Sequence, residues 1–398
     1  MPGPLSGYRI IDLTAMISGP LATMILADQG ADVIKVESLA GDHTRAVSSR
    51  RGGFSASFLN NNRNKRSIAL NLKDPRGLEV LKRLTEGADV FVQNFRPGVI
   101  ERMGLGEAAV REIAPTIVYV SISGFGERGP YASKPVFDPL VQALSGLTTV
   151  QAGSDEVRPR LVRTILPDKL TGITASQAIT AALLARERTG EGQHVRLSML
   201  DSVIAFLWSS DMSNQTFVGD EAPQEKAQSF IDLIYETSDG YISVAVQTDR
   251  QWASLARALE RPEWLEDPRF LTAAGRQEHI DARLELTQEV LCSRTTAEWL
   301  LRLDAADVPC APVLRRRDVI SHPQIEANET VVEFDHPTAG RLRQARPAAR
   351  FSTTPAGIRT GGPLLGEHTA EILDSLGYSR LVVEELRQAG VIGMPEVA

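Results

Sequence analysis

Apolar residues enter the chain in short blocks broken by small and polar ones. Tyr8 to Leu13 is an apolar run that predicts a strand. Ser18-Gly19-Pro20 follows, a helix start signal in which proline takes the first helical turn. The helix is expected to run to about Gln29, with Gly30 as its stop. Ala31 to Glu37 is β-branched and apolar, a second strand. Strand, helix and strand in this order predict a βαβ unit, and so a parallel sheet with helices on its faces. Further strands are expected at Ser67–Leu72, Ala88–Val92 and Ile117–Ile122. Gly77–Glu86 is an amphipathic helix with Leu78, Leu81 and Leu84 on one face. Lys169–Arg188 is strongly helical and ends at Gly190, with Leu170, Ile173, Ala178, Ile179, Ala182 and Leu183 at helical spacing.

The texture then changes. Asn214–Gln228 is polar and unpatterned, a linker candidate. Tyr241–Val246 predicts a strand after the turn Asp239-Gly240. Helices are expected at Trp252–Leu259, Arg283–Cys292 and Thr296–Asp304. This middle region reads as a smaller, separate domain. His322–Pro363 is rich in Pro, Thr and Gly and predicts a long extended connection, after which the chain turns helical again. There is no internal repeat.

Composition narrows the class. Apolar residues make up 42% and charged residues 23%, the balance of a soluble globular protein. Lys plus Arg is 43 against 50 for Asp plus Glu, a formal charge of −7. That acidity argues against a nucleic-acid partner, which requires a basic surface. The two cysteines, Cys292 and Cys310, form no CxxC pair, which fits a reducing compartment. No stretch reaches the roughly 20 apolar residues of a membrane span. A cytoplasmic protein without a membrane partner is expected.

Candidate chemistry is sparse. Gly124-Phe125-Gly126-Glu127-Arg128-Gly129 matches the dinucleotide fingerprint, but Pro130-Tyr131 opens no helix, and the fingerprint needs one to receive the pyrophosphate. A turn-rich loop is the better reading. Asn64-Lys65-Arg66, Lys73, Asn94-Phe95-Arg96 and Arg102 lie near expected strand ends, where open α/β sheets bind ligands; a solvated charged surface is the alternative. The six histidines (His43, His194, His279, His322, His336, His368) lack ligand spacing, so no metal site is expected. No GxSxG elbow is present. Asp168 opens the long helix, where Asp serves well as an N-cap.

Taken in order, several of these segments become recognisable. They are Ser18-Gly19-Pro20, Gly30 through Glu37, Asn64-Lys65-Arg66-Ser67 and Asn94 through Gly98, then Ser123-Gly124-Phe125-Gly126 and Gly129-Pro130. They continue with Asp168, Thr171-Gly172, Arg188 through Gln193 and Leu365 through Thr369. In this order and spacing the chain resembles the class III CoA-transferases of CaiB/BaiF type, the family of formyl-CoA transferase and carnitine CoA-transferase, nearly end to end. The resemblance implies an α/β fold: a large Rossmann-like domain with a parallel sheet built from both chain ends (1–200 and 365–398) and a smaller α+β domain (225–330). Residues 201–224 and 331–364 would be linkers, and two subunits would interlock as a homodimer.

It also implies the chemistry. Asp168 matches the aspartate that attacks an acyl-CoA thioester, with acyl-CoA and small carboxylic acids as substrates and no further cofactor. Leu70, Lys73, Asn94, Phe95, Arg96 and Arg102 match CoA contacts, and Met16 and Ile17 align along the CoA chain. Phe137 and Asp138 align beside the acyl group, and Lys134 joins the binding set. The chain departs from formyl-CoA transferase at Ile17, where that enzyme has Gln, at Ser38 (Arg there) and at Phe137 (Tyr there). No glycine-rich loop is found between Gln228 and Trp252. An aspartate with its ordinary pKa of about 3.9 would be ionised at neutral pH without a separate base. The rival on the same fold is an acyl-CoA racemase, whose relatives place a His where this chain has Phe137; phenylalanine moves no proton. A nucleotide-dependent dehydrogenase would rest on the glycine fingerprint alone. A non-catalytic CoA-binding protein is a third possibility, against which the intact Asp168 segment speaks by resemblance.

Overall fold

The computed structural model describes residues 3–212, 215–219 and 232–395. Apart from 215–219, the linker expected at Asn214–Gln228 lies outside the described residues, as do the expected boundary at 224 and 225 and the start of the stretch after Gln228. The chain divides into two compact units, Met1–Glu221 with Glu329–Ala398, and Ala222–Asn328.

The larger unit is built on a seven-stranded sheet. Its order is Ile392–Gly393, Lys65–Leu70, Asp32–Glu37, Arg9–Asp12, Val90–Gln93, Val118–Ser123 and His194–Ser198. All neighbours pair in parallel except the two-residue C-terminal edge strand, which runs antiparallel to Lys65–Leu70 with Ile392 opposite Leu70. Among the parallel strands, those earlier and later in the chain lie on opposite sides of Arg9–Asp12, the doubly wound order of a Rossmann-like sheet.

The central strands carry apolar residues on both sides because both faces are covered. Ile10, Val33, Val90 and Val118 pack under helices Ser18–Asp28 and Leu166–Thr189. Their chain neighbours Ile11, Ile34, Phe91 and Tyr119 point the other way, toward Pro75–Glu86 and the C-terminal helices Thr369–Ser375 and Arg380–Gln388. Each such side chain contributes about 1.5–3 kcal/mol by leaving water.

Two sequence expectations need correction, and one strand went unread. Helix Met199–Trp208 occupies the start of the supposed linker and buries Met199, Val203 and Leu207 against Val141 and Leu147. The supposed extended connection contains a hairpin, Val331–His336 with Gly340–Ala345, whose Ala339 packs on Phe54 and Phe58. The strand His194–Ser198 closes one sheet edge and was not anticipated.

The smaller unit has an antiparallel three-stranded sheet, Ile234–Glu236, Tyr241–Val244 and Cys310–Pro312, and helices Asp249–Ala258, Ile280–Leu291 and Thr296–Ala305. Trp252, Trp264, Phe270 and Trp299 fill its core. Among the described residues no helix is long and apolar enough to cross a membrane.

Candidate active site

A cavity of about 1030 Å³ opens at the carboxyl ends of the strands. Its walls are the segments that follow four adjacent strands: Leu13–Met16, Val36–Asp42, Leu70–Lys73 and Asn94–Arg96. Since the chain winds away from Arg9–Asp12 in both directions, the loops on either side diverge and leave a crevice at this point. Of the residues expected to bind CoA, Met16, Leu70, Lys73, Asn94, Phe95 and Arg96 line it. Arg102 does not; it sits exposed on the one-turn helix Val99–Arg102, its guanidinium beside Gly98.

The Asn64-Lys65-Arg66 cluster serves the fold instead. Lys65 is buried, its ammonium 3.0 Å from Asp12 and 2.9 Å from both the Pro20 carbonyl and the Asn62 amide oxygen. Arg66 pairs with Asp32 and Glu371, and Asn64 donates to Asp28.

Along the cavity wall runs a network of buried charges. Lys35 donates to the Thr14 carbonyl (2.8 Å) and to Asp42 (2.9 Å). Asp42 accepts the amides of Thr44 and Met16, and its own amide donates to Glu37. Glu37 is bound in turn by Arg45 and Ser67. Burial alone would raise the Asp12 carboxyl, but Lys65 and Lys35 overcome it and hold Asp12 at about 2. Lys65, equally buried and close to Lys35, is lowered to about 8.

This network fixes the loop between the first strand and the first helix. The Ala15 amide donates to Asn94 (3.0 Å), and the Asn94 side-chain amide donates back to the Ala15 carbonyl (2.8 Å). Met16 is held at φ 70°, in the left-handed region that a bulky side chain avoids. The loop delivers Ser18 as the first residue of helix Ser18–Asp28, a helix start with no side-chain cap of its own. Asp168 lies there, and the Ser18 amide and hydroxyl are near enough to draw its carboxyl downward.

Asp168 is therefore not the N-cap of its own helix. That helix begins at Leu166, and Ile165 occupies the cap position without a side-chain bond. The Asp168 amide donates instead to Asp138 (3.4 Å). Each carboxylate thus serves the start of a neighbouring helix. Gly172 makes this possible: a Cβ added there would stand 2.8 Å from the Ser18 carbonyl and 3.0 Å from Leu21.

The electrostatics also differ from the sequence expectation. Burial, then the neighbouring Asp138 charge, raise the Asp168 carboxyl to about 6 against the pull of the Ser18 donors. Asp138 is buried, accepts from Gln142 at 2.6 Å, and is itself raised, chiefly by burial. Among the described residues Asp168 forms no ion pair. An aspartate in this setting is mostly ionised at neutral pH and weakly stabilised, so its oxygens remain nucleophilic.

Ile17, Lys134, Phe137 and Asp138 line no part of the large cavity. Phe137 immediately precedes Asp138 and is 65% exposed. Lys134 lies with its ammonium 3.4 Å from the Tyr131 ring centre. Ile17 borders a second cavity, of about 870 Å³, together with Ile165, Lys169 and Ile173. The glycine-rich turn 124–129 is followed by no helix until Asp138–Leu144, as its sequence implied. Among the described residues no group of three or more His, Cys, Asp or Glu side chains could hold a metal ion. Sequence reasoning missed Asp42, Lys35, Gln142 and the role of Ser18; only Ser18 had a signal, in the Ser-Gly-Pro helix start.

Residues 5–369 match CoA-transferase family III. Succinyl-CoA:glutarate CoA-transferase of Homo sapiens is 35% identical over 99% of this chain and 91% of its own length. Formyl-CoA:oxalate CoA-transferase of Streptomyces coelicolor is 35% identical over 98% of this chain and 99% of its own length. A CaiB/BaiF family protein from Brucella suis, known from its crystal structure, superposes with a TM-score of 0.83 at 31% identity, covering 94% of this chain and all of that one.

Proposed function

The chain belongs to CoA-transferase family III, and on that premise we propose that it moves CoA from an acyl-CoA to a carboxylic acid with Asp168 as covalent nucleophile. The observation that carries this reading is a carboxylate raised to about 6, without a cationic partner among the described residues, near Ser18 at the end of the loop that walls the large cavity.

The Asp168 carboxylate attacks the thioester carbonyl, and the C–S bond breaks to give an aspartyl-acyl anhydride and the CoA thiolate. The thiolate then attacks the aspartyl carbonyl, releasing the donor acid and leaving an aspartyl-CoA thioester. The acceptor carboxylate repeats both steps in reverse, ending on the new acyl-CoA and a free Asp168. The mixed anhydride and the thioester are acyl donors of similar reactivity, so the protein must chiefly position the partners and exclude water. Substrates and Asp168 supply every bonding electron pair, so the reaction calls for no metal or redox cofactor. Lys73 and Arg96, on the cavity wall, would meet the CoA phosphates through charge-assisted bonds.

The names of the relatives make succinyl-CoA with a dicarboxylic acid the first pair to assay. A screen of acyl-CoA donors against acids, read by mass spectrometry, tests the activity. Exchange of CoA with at least one acid is expected, undiminished by EDTA. Slow hydrolysis alone, or racemisation of a 2-methylacyl-CoA without exchange, would contradict it.

We also propose an interlocked cytoplasmic homodimer. Ile173 and Leu184 on the long helix, with Phe206 and Trp208 after it, are each about half exposed, an apolar surface that a partner subunit would cover. Dissociation should coincide with unfolding. A folded monomer in sedimentation would exclude it.

A further inference from the structure

The buried pair Lys35–Asp42 has no role in the chemistry above, although it lies under the loop that carries Ser18. Both side chains are almost wholly out of water, and their ion pair measures 2.9 Å. Charges are expensive to bury, so a pair at this position serves something that packing alone does not.

Its geometry is directed. One Asp42 oxygen takes Lys35, whose ammonium also binds the Thr14 carbonyl. The other oxygen accepts the Met16 amide at 3.3 Å and the Thr44 amide at 2.9 Å. Lys35 and Asp42 therefore grip the loop at two points, Thr14 and Met16. Between them Asn94 holds Ala15. Met16 sits at φ 70°, a conformation costing a side-chain-bearing residue roughly a factor of 5 to 30 in population. Two residues later Ser18 presents its amide and hydroxyl to Asp168.

We infer that Asp42 is a positioning residue for the transfer reaction: anchored by Lys35, it holds Met16 left-handed so that both Ser18 donors face the Asp168 carboxylate. The inference rests on Asp168 being the nucleophile. The groups facing Asp168 are Ser18 on the first helix and Asp138 on the short helix, while Lys169, next in its own helix, donates to Thr164. Of these only Ser18 is under the control of Asp42. Loss of the Ser18 donors leaves the carboxylate less stabilised, so its proton is held more tightly and the acid limb of kcat/KM moves to higher pH.

The test compares two double variants, Lys35→Met with Asp42→Asn and Lys35→Met with Asp42→Ala. Neither leaves a buried charge unpaired. The asparagine oxygen still accepts the Met16 amide; alanine cannot. The asparagine pair is expected within about 5-fold of native kcat with an unmoved acid limb. The alanine pair is expected to lose roughly 10–100-fold in kcat, with KM for the acyl-CoA changed far less and the acid limb shifted upward. Simple loss of the turn cap would lower the unfolding midpoint without moving that limb. Equal kcat and equal acid limbs in the two folded variants would overturn the inference.

If the alanine pair does not fold, Met16→Gly and Met16→Ala replace it. Both lack the side chain, and glycine adopts the left-handed conformation freely. Glycine should be about 5-fold the more active; equal activity would overturn the inference by itself. Trapping of the native enzyme with hydroxylamine runs in parallel. A label away from Asp168 refutes the nucleophile reading, whereas a label on Asp168 with indistinguishable variants refutes only the role of Asp42.

Discussion

Asp12 and Asp168 are carboxylates withdrawn from water in the same unit, and their surroundings push them in opposite directions. Asp12, at the end of the first strand, faces Lys65 and accepts from Thr14 and Thr23, and it is held at about 2. Asp168, in the first turn of the long helix, faces another carboxylate and two donors from Ser18, and it is raised to about 6. The fold spends a buried cation on the first and withholds one from the second. A paired carboxylate is inert, because an attack would strip it of its partners; an unpaired one keeps a reactive lone pair. The difference between the two sites separates a residue that holds the fold from one that reacts.

The largest expected effect is at Asp168. Asp168→Asn and Asp168→Ala should each lose roughly 10⁴-fold or more of kcat, as removal of a covalent nucleophile does. Stability should move the other way. The folded pKa lies above the unfolded value, so the native state binds the extra proton and the ionised carboxylate weakens the fold as pH rises through about 4 to 6. Asp168→Asn should therefore unfold at a higher temperature than the native protein at pH 8, with the gain vanishing near pH 4. A parallel loss of stability and activity would make Asp168 structural. In the native enzyme kcat/KM should fall on the acid side of pH 6.

The mirror experiment is at Asp12, whose folded pKa lies below the unfolded value. Its contribution is present above about pH 4 and lost as pH falls toward 2. Asp12→Ala strands the buried Lys65 and should destabilise by about 3–5 kcal/mol at pH 7 in denaturant titration. A near-neutral result would mean that water or another acceptor reaches Lys65.

Intermediate effects come from the helix contact that joins Asp168 to Ser18. Gly172→Val places side-chain atoms against the Ser18 carbonyl and Leu21, and a displacement of about 1 Å should cost on the order of 10²-fold in kcat. The smallest effects are expected at the cavity rim. Lys73→Ala and Arg96→Ala should raise KM for acyl-CoA about 3–10-fold, less at high salt, with kcat little changed. Arg102→Ala, outside the cavity wall, should do less than either, and a larger effect at Arg102 would relocate the nucleotide.

Much of the sheet was legible because its strands are continuous apolar blocks bounded by Gly and Asp. The strand read at Ala31–Glu37 is found at Asp32–Glu37, and the helix read from Ser18 ends at Asp28. The edge strand Ile392–Gly393 is two residues long and carries no periodic signal. The hairpin at Val331–Ala345 was hidden by the Pro-Thr-Ala-Gly turn between its strands, which reads as loop. Asp168 was singled out through resemblance, but its surroundings were not legible. Lys35, inside a strand read as apolar, is a buried charge, and Lys65 finds its partner 53 residues away at Asp12. Contacts of that range follow from tertiary packing, and neither periodicity nor charge pattern announces them. The ordinary pKa expected for Asp168 failed for the same reason: burial in the packed unit raises it first, and the like charge of Asp138, 30 residues earlier, adds to that.

Peptide mapping after turnover in hydroxylamine tests the central claim most directly. An aspartyl thioester or anhydride should be trapped as a hydroxamate on Asp168, only when acyl-CoA is present, and Asp168→Asn should remain unlabelled. A hydroxamate on Asp138 or any other carboxylate, or full turnover with no protein label at all, would contradict it.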